Sequence, residues 1–447
     1  MTRRLITFLG KPEYDRNTGE RRYKEATYRF DGGQWVSPPT GFFSVALLRW
    51  LEEVDGWQAK EIVVLGTRDS AWDALFELAG SEEDEAHLLD VMELEEVIRA
   101  GDMTEAHLRR VEEAMGGVLG GASVRCLLIS EAVEAADQLD ILRTLADGFC
   151  REDEVVLDVT HGFRHFGVLG AQSVLLLQEV IGVRLHGAFY GLYRFEQRAG
   201  EAVHLTALLN LSAWTEALAI FRRTGLLGAL PELFREAGHP DAASRLEQLA
   251  FLLMTQNMAR ARQDAEAAAQ ALDRLRDLAP LTPAALFAPQ LARELRSVWR
   301  TDHLATSMLA LARQSIACGD HARASSLLFE ALILSPLPEA VWADRHTRER
   351  MRKAMWERND RQKRIFSTSA GEHMTFLHLS FLRNTLVHGS DPNQEERPNP
   401  FVLRATQSPA NLSRALHQLA EQTARLIEHF TARGLPRDVL VTIMPSS

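Results

Sequence analysis

Two short strings in this chain hold residues that could do chemistry. The first is Arg383-Asn384-Thr385-Leu386-Val387-His388. It sets a guanidinium that is always charged five residues ahead of an imidazole that titrates near neutrality. Such a pair needs no metal to act on a phosphodiester that carries its own nucleophile. The arginine can bind the phosphate as negative charge builds, and the histidine can take or deliver a proton. Asn384 and His388 are four apart, share a helix face, and let the amide orient the ring or the phosphate. The second string is Asp158-Val159-Thr160-His161-Gly162. It closes a run of buried-strand character and precedes a helix. Gly162 permits a positive φ or a close backbone approach. Free N–H groups at the helix start, with Thr160 and His161, can hold a phosphate or ribose, and Arg164 and His165 add charge and donors. Each string also has a plain structural reading. Thr160 would cap its helix and His161 would satisfy backbone groups, while His388 would interact with the last carbonyls of its own helix.

The elements that must position these strings are of two kinds. Over about the first 205 residues strand and helix signals alternate. Strand-like runs at 4–9, 61–65, 124–129, 154–159 and 183–190 are separated by helical periodicity at about 42–54, 71–78, 131–149 and 163–180. This is the pattern of a parallel sheet with helices on both faces, in which ligands bind beyond the carboxyl ends of the strands. The loops that close those strands carry Gly10-Lys11, Gly66-Thr67-Arg68-Asp69-Ser70 and Tyr190-Gly191 beside Thr160–Gly162. Glycine, hydroxyl and basic groups suit a polyanionic nucleotide without a bound metal. No GxGxxG or GxxxxGK[ST] loop is present, which disfavours a dinucleotide cofactor or ATP hydrolysis. From Leu205 on, strand signals nearly vanish. Helices are expected at 213–224, 241–278, 289–317, 322–334, 338–356, 375–387 and 410–432.

Composition narrows the function classes. A chain of 447 residues is too long for one core, and 46% apolar with 25% charged residues is ordinary for a soluble protein. The start of the chain lacks the pattern of a signal peptide, and the most apolar run, 174–183, is too short to span a bilayer. A cytoplasmic location without membrane contact is expected. Cys126, Cys150 and Cys318 are scattered, which argues against a disulfide framework or structural zinc, and each reads as a small buried apolar side chain. The net charge of −11 hides an asymmetry. Residues 1–211 hold 21 Lys and Arg against 36 Asp and Glu, whereas residues 212–447 hold 29 against 25. An acidic protein is a poor generic DNA coat, yet its mildly basic half can bind RNA locally. The segment 345–364, with nine basic and three acidic residues, could track an RNA backbone with Trp356 as a stacking surface, or could be a solvated helix face with pairs such as Glu349–Lys353.

The string Asp158-x-Thr160-His161-Gly162 resembles the DxTHG signature of CRISPR-associated Rossmann-like sensor (CARF) proteins. Other pieces agree in order. They are Phe8–Gly10, Tyr14, Tyr23 and Tyr28, Gly66-Thr67-x-x-Ser70-x-Trp72, Tyr190-Gly191, and Leu211-x-x-Trp214. The resemblance covers about residues 1–220 and departs at Lys11-Pro12 and Phe163-Arg164. It implies a sensor dimer that binds one cyclic oligoadenylate made by a type III CRISPR complex, with cyclic tetra-adenylate expected ahead of cyclic hexa-adenylate. Downstream, Arg383 to His388 resembles the R-x4-6-H motif of HEPN ribonucleases, which implies catalytic roles for Arg383 and His388 with Asn384 in support.

The expected architecture is therefore an α/β Rossmann-like sensor over 1–205, a helical connector over 206–300, and an all-α HEPN domain over 301–447. The expected ligand residues are Gly10, Lys11, Gly66, Thr67, Ser70, Thr160, His161, Gly162, Arg164, Tyr190 and Gly191, with no metal and no cofactor. The expected activity is cleavage of single-stranded RNA at a composite site of a homodimer or higher oligomer, switched on through the helices after residue 206. Two rivals stay open. One is a non-catalytic sensor that regulates a partner. The other is a pocket that cuts its own ring, for which Lys11, Thr160 and His161 would be the residues to test.

Overall fold

The structure, a computed structural model, describes residues 1–11, 25–80, 84–194, 199–277, 281–299, 301–357, 365–366, 370–389, 391–392 and 399–444. Pro12, Tyr14, Tyr23 and residues 358–364 lie outside the described residues. The chain divides into two compact units, Met1–Asn210 and Leu211–Ser447.

The first unit is built on eight strands: β1 (Arg3–Leu9), β2 (Thr27–Phe30), β3 (Trp35–Val36), β4 (Glu61–Gly66), β5 (Ser123–Leu128), β6 (Glu154–Asp158), β7 (Arg184–Arg194) and β8 (Ala199–His204). Their order across the sheet is β3-β2-β8-β7-β6-β1-β4-β5. The five strands from β5 to β7 run parallel, as the apolar runs demand. Both faces are covered. Leu5, Leu9, Ile62, Val64 and Val156 face one way, onto α1 (Phe43–Trp50), α2 (Trp72–Glu77), α3 (Glu85–Ala100) and α4 (Glu105–Met115). Ile6, Phe8, Val63, Leu65, Val155 and Leu157 face the other way, onto α5 (Ala135–Ala146) and α6 (Arg164–Leu176). Successive residues of one strand thus serve opposite cores, the period-two rule at work.

The sheet is mixed rather than wholly parallel. β8 lies antiparallel to β7, β2 parallel to β8, and β3 antiparallel to β2. Gly191, expected to close a strand, lies inside β7 opposite Ala202. The glycine is needed for space instead of a turn, because a Cβ there would sit 2.5 Å from the Phe43 ring. Gly200 on β8 makes the same kind of room for Tyr28. The sequence of β8, AGEAVH, holds few good strand formers, and the strand exists because the edge of β7 pairs with it. Of the three cysteines, Cys126 is buried as expected, while Cys150 and Cys318 are exposed.

The second unit, from Leu211, is helical throughout its described residues. Its elements are the greater part of α7 (Thr206–Thr224), then α8 (Leu230–Glu236), α9 (Pro240–Met254), α10 (Met258–Asp273), α11 (Pro283–Trp299), α12 (Leu304–Ala317), α13 (His321–Leu334), α14 (Arg345–Trp356), α15 (Ala370–His388), α16 (Pro400–Ala405), α17 (Pro409–Arg433) and α18 (Arg437–Ile443). Three helices expected as continuous are broken, the 338–356 stretch into a short turn at Glu339–Val341 and α14 from Arg345. The 241–278 stretch turns at Gln256, which takes a positive φ of 55° while the Asn257 N–H reaches back to the Leu252 carbonyl. That is the helix stop usually made by glycine, here made by a residue that announces nothing. The 289–317 stretch is divided into α11 and α12, and α11 starts earlier, with Pro289 inside it. One continuous apolar core runs through the unit, with Leu327, Leu328, Leu332, Phe376, Leu379 and Leu416 at its middle. No helix among the described residues is long and apolar enough to cross a membrane.

Adding one methyl group at the Phe43 contact should be felt. Gly191→Ala is expected to cost about 1–3 kcal/mol through overpacking, read as a lower midpoint in thermal unfolding. The same substitution at the open Gly117, which has nothing within 4 Å but a positive φ of 82°, should cost about 1 kcal/mol through backbone strain alone.

Candidate functional site

After β1 the chain first forms β2 and β3 at the far edge, then β4 and β5 on one side of β1, and returns to β6 on the other side before continuing to β7. The reversal falls between β1 and β6, and in such sheets a crevice opens at that point beyond the carboxyl ends. Thr7 pairs in register with Asp158, Leu9 with Gly66, and Asp158 with Phe189. The ends of β1, β4 and β6 therefore bring Gly10, Lys11, Gly66, Thr67, Ser70, Thr160, His161 and Gly162 to one edge of the sheet, next to Tyr190 and Gly191 on β7.

At the centre of that edge Asp158 is fully buried. One carboxylate oxygen accepts from the Thr7 hydroxyl (3.1 Å) and the Ser44 hydroxyl (2.5 Å). The other accepts from the Thr160 N–H (2.9 Å) and the Thr160 hydroxyl (2.5 Å). Thr160 Oγ1 in turn accepts the Gly191 N–H at 2.7 Å. Thr160 thus does not cap α6, which starts after Phe163 with no side-chain cap. It ties the β6 loop to β7. His161 lies flat on Phe42, with centroids 4.9 Å apart, and its Nε2 accepts the Phe43 N–H at 3.2 Å. Burial pushes its imidazole below the ordinary range, against the pull of the Asp158 charge. The ring is therefore neutral, and the hydrogen bond assigns its proton to Nδ1. Gly162 has φ +95°, and a Cβ there would press on Phe166 and Phe8 at 3.0 and 3.2 Å. Tyr28 stands close by, its phenol pushed up to about 12 by burial and then by Asp158.

The β4 loop is knotted on itself. The Thr67 N–H donates to Ser70 Oγ (2.8 Å), Ser70 Oγ donates to the Leu9 carbonyl (2.8 Å), and the Trp72 indole donates to the Thr67 carbonyl (2.8 Å). Gly66 leaves room for that indole, which a Cβ would meet at 2.5 Å. Thr67 and Ser70 are buried, so they shape the loop, and the exposed Arg68 is what it offers to solvent. Lys11 bridges Asp69 (2.8 Å) and Glu131 (3.3 Å) and sits 5.4 Å above the Phe163 ring. Its amine is held above the usual range, chiefly by the bond to Asp69. Carboxylates are thus present at a rim expected to lack a cluster of them. Arg68 and Arg164 are exposed and make no ion pair among the described residues. Tyr190, 36% exposed, lies on the β7 side of the same edge.

In the helical unit, Arg383 is half-buried on α15. It donates to Asn384 Oδ1 (3.1 Å), lies 5.9 Å from the Phe329 ring centroid, and lines a cavity of about 620 Å³ with Leu386, Val387, Arg323 and Ser326. Phe329 and Arg323 come from α13, too far away in sequence for any pattern to have marked them. Neighbouring Glu330 is held above the usual carboxylate range by burial, against the pull of Arg348, Arg383 and Arg352. His388 is the exposed last residue of α15, and Gly389, with φ +64°, ends the helix. Five residues separate Arg383 from His388, about 140° around the axis, so one copy of α15 does not aim both the same way. In the basic segment, Arg348 pairs with Glu330, Arg352 with Glu349 and Lys353 with Glu357. Glu349 takes Arg352 in place of the expected Lys353, and Trp356 is 45% exposed beside Phe376 and Phe381.

The strand order defines a Rossmann-like domain followed by a helical region. Residues 4–192 match the family model described as the CARF domain of the CRISPR system endoribonuclease Csx1. A CRISPR-associated protein of Methanocaldococcus jannaschii is 23% identical over 268 residues, covering 56% of this chain and 40% of the relative. The chain thus spans about two fifths of the length of that relative. Together these likenesses support a CRISPR-associated, CARF-containing protein.

Two outcomes follow from the Asp158 cluster. Asp158→Asn puts an amide N–H₂ where only acceptors fit the Thr160 N–H, or forces the Thr7 and Ser44 hydroxyls to turn. It should cost about 1–3 kcal/mol, read by thermal or urea unfolding. His161 has a folded pKa below its ordinary 6.5, so the folded state prefers it neutral. Its contribution is complete above pH 6.5 and is lost as the pH falls toward the folded value. His161→Gln keeps an acceptor for the Phe43 N–H without a titrating ring. Between pH 7.5 and 5 it should therefore lose less stability than the wild type; equal losses would remove His161 from the account.

Proposed function

We propose that this protein is an endoribonuclease of type III CRISPR antiviral defence, activated by cyclic oligoadenylate. The sensor is the crevice between β1 and β6. The observation that carries the reading is the match of residues 4–192 to a CARF domain whose family is described as an endoribonuclease. The exposed Arg68 and Arg164 at the carboxyl edge, unpaired among the described residues, add to it, since they suit a ring of phosphates. Cutting is assigned to residues 301–447 as a HEPN domain, with Arg383, Asn384 and His388 in one cleft of a homodimer. The 2′-OH attacks the adjacent phosphorus, the 2′-O–P bond forms, and the P–O5′ bond breaks. One histidine takes the proton from the 2′-OH and another delivers one to the departing 5′-oxygen, while arginine neutralises the phosphoryl oxygens. A single chain supplies one His388, so the second comes from a second copy. The products are a 2′,3′-cyclic phosphate and a 5′-OH, and no metal takes part. Ring binding biases the sensor between two states, and the helices after residue 206 carry that bias to the cleft.

The regulator reading has one observation in its favour. Arg383 already engages Asn384 and Phe329 and leaves α15 on a different side from His388. Ring cutting by the sensor itself is weakened by His161, whose Nε2 already accepts a backbone N–H.

The test is cleavage of a fluorescent single-stranded RNA in EDTA without activator, with cyclic tetra-adenylate, or with cyclic hexa-adenylate. Activator-dependent cutting is expected, tetra-adenylate being the stronger, and His388→Ala should lower it by about 10²-fold or more. Ring binding without any cutting leaves the regulator reading, and cutting that survives His388→Ala places the active site elsewhere.

A further inference from the structure

Another side of α15 opens on a second cavity, of about 550 Å³, bounded by α15, α16 and α17. Ligand sites for nucleotide-sized molecules occupy roughly 300–1,000 Å³. Its wall includes His378, Phe401, Arg404, Asn411, Arg414 and Gln418, and none of the lining residues is acidic. Elsewhere in this unit Arg222 is tied to Glu294, Arg235 to Glu247, Arg274 to Asp241 and Arg313 to Glu421, while Arg223, Arg293 and Arg425 are exposed and make no ion pair among the described residues. Arg404 and Arg414 are exposed and make no ion pair among the described residues. Arg414 donates to the neutral amide of Asn411 (3.4 Å), whose own N–H₂ reaches the Arg404 carbonyl (3.3 Å) and so joins the end of α16 to α17. Half-buried His378 lies flat against Phe401, with centroids 4.0 Å apart and planes 7° apart. Burial first, and the Arg404 charge second, hold its imidazole below the ordinary range. At pH 7 it therefore offers one donor and one acceptor without charge.

Two uncompensated guanidiniums, a set of neutral amides and a flat ring pair together match a nucleotide. The guanidiniums suit a phosphate, the amides and imidazole suit base edges, and aromatic faces suit an unstacked base. We propose that this cavity holds one unpaired nucleotide of a single-stranded RNA, with its phosphate at Arg404 and Arg414. A double-stranded ligand would not free a base to enter a cavity of this size. The proposal concerns binding alone and stands apart from the catalytic roles given to Arg383 and His388.

The experiment uses the full chain and a labelled 2′-O-methyl RNA oligonucleotide, which lacks the attacking hydroxyl and cannot be cut. Its affinity is measured for the wild type, for Arg404→Glu with Arg414→Glu, and for His388→Ala. The double variant should bind about tenfold or more weakly, with its thermal midpoint and its cyclic tetra-adenylate binding unchanged. AMP should compete for the wild-type site better than adenosine does. Loss of RNA binding in the double variant with AMP inert also supports the site, and makes the strand rather than the free nucleotide its ligand. Equal RNA affinity in the wild type and the double variant overturns the proposal, as does measurable competition by adenosine that matches or exceeds that of AMP. Because the probe is uncleavable, a failed cleavage assay leaves this result standing, and the reverse is equally true.

Discussion

The carboxyl edge of the sheet depends on one buried carboxylate. Asp158 sits at the end of a central strand, out of reach of water, and four donors from three parts of the chain converge on it. An unpaired charge in that position would be prohibitive, so the donors are obligatory. Thr7 fixes β1, Ser44 fixes the first turn of α1, and Thr160 fixes the loop that leads to α6 and, through its hydroxyl, Gly191 of β7. The shape of the crevice follows from satisfying this group. Thr160, expected as a ligand contact, acts together with Asp158 as an internal frame for this edge of the sheet.

The two units reach order by different means. In the sheet, glycine is used where rings pass close to backbone, at Gly66 against Trp72, Gly191 against Phe43 and Gly200 against Tyr28. In the helical unit the core is assembled from Ala and Leu on long amphipathic faces, and polar chemistry is left at helix ends and cavity walls. Arg383 takes its position from an aromatic ring on α13, whereas His388 stands at a free helix end. The first is placed by packing and the second by where the helix stops.

Much of this was readable in the residues. Continuous apolar runs at 61–65 and 154–159 could only be strands covered on both faces, and the loops after them had to meet at one edge. What escaped the reading has a common cause. β8 draws its conformation from its neighbour rather than from its own composition. The turn at Gln256 uses a positive φ without a glycine. The pairing of Lys11 with Asp69 and Glu131 joins the ends of three different strands, and the cavity wall at His378, Phe401 and Arg414 joins three helices. Local pattern carries information about the element a residue belongs to, and little about which distant side chain will finish its environment.

Under the proposed function, the bridged Lys11 changes how this edge of the sheet would receive an anion. Its charge is already neutralised by Asp69 and Glu131, so a phosphate entering beside it performs an ion exchange within the protein, with carboxylates in the part usually taken by dissolved chloride. The released counterions stay attached to the chain. Binding at this position then carries a weaker dependence on bulk salt than the number of basic residues would suggest. It also leaves two carboxylates newly unpaired on the loops after β4 and β5, and occupancy of the crevice is thereby written into the charge of the neighbouring surface.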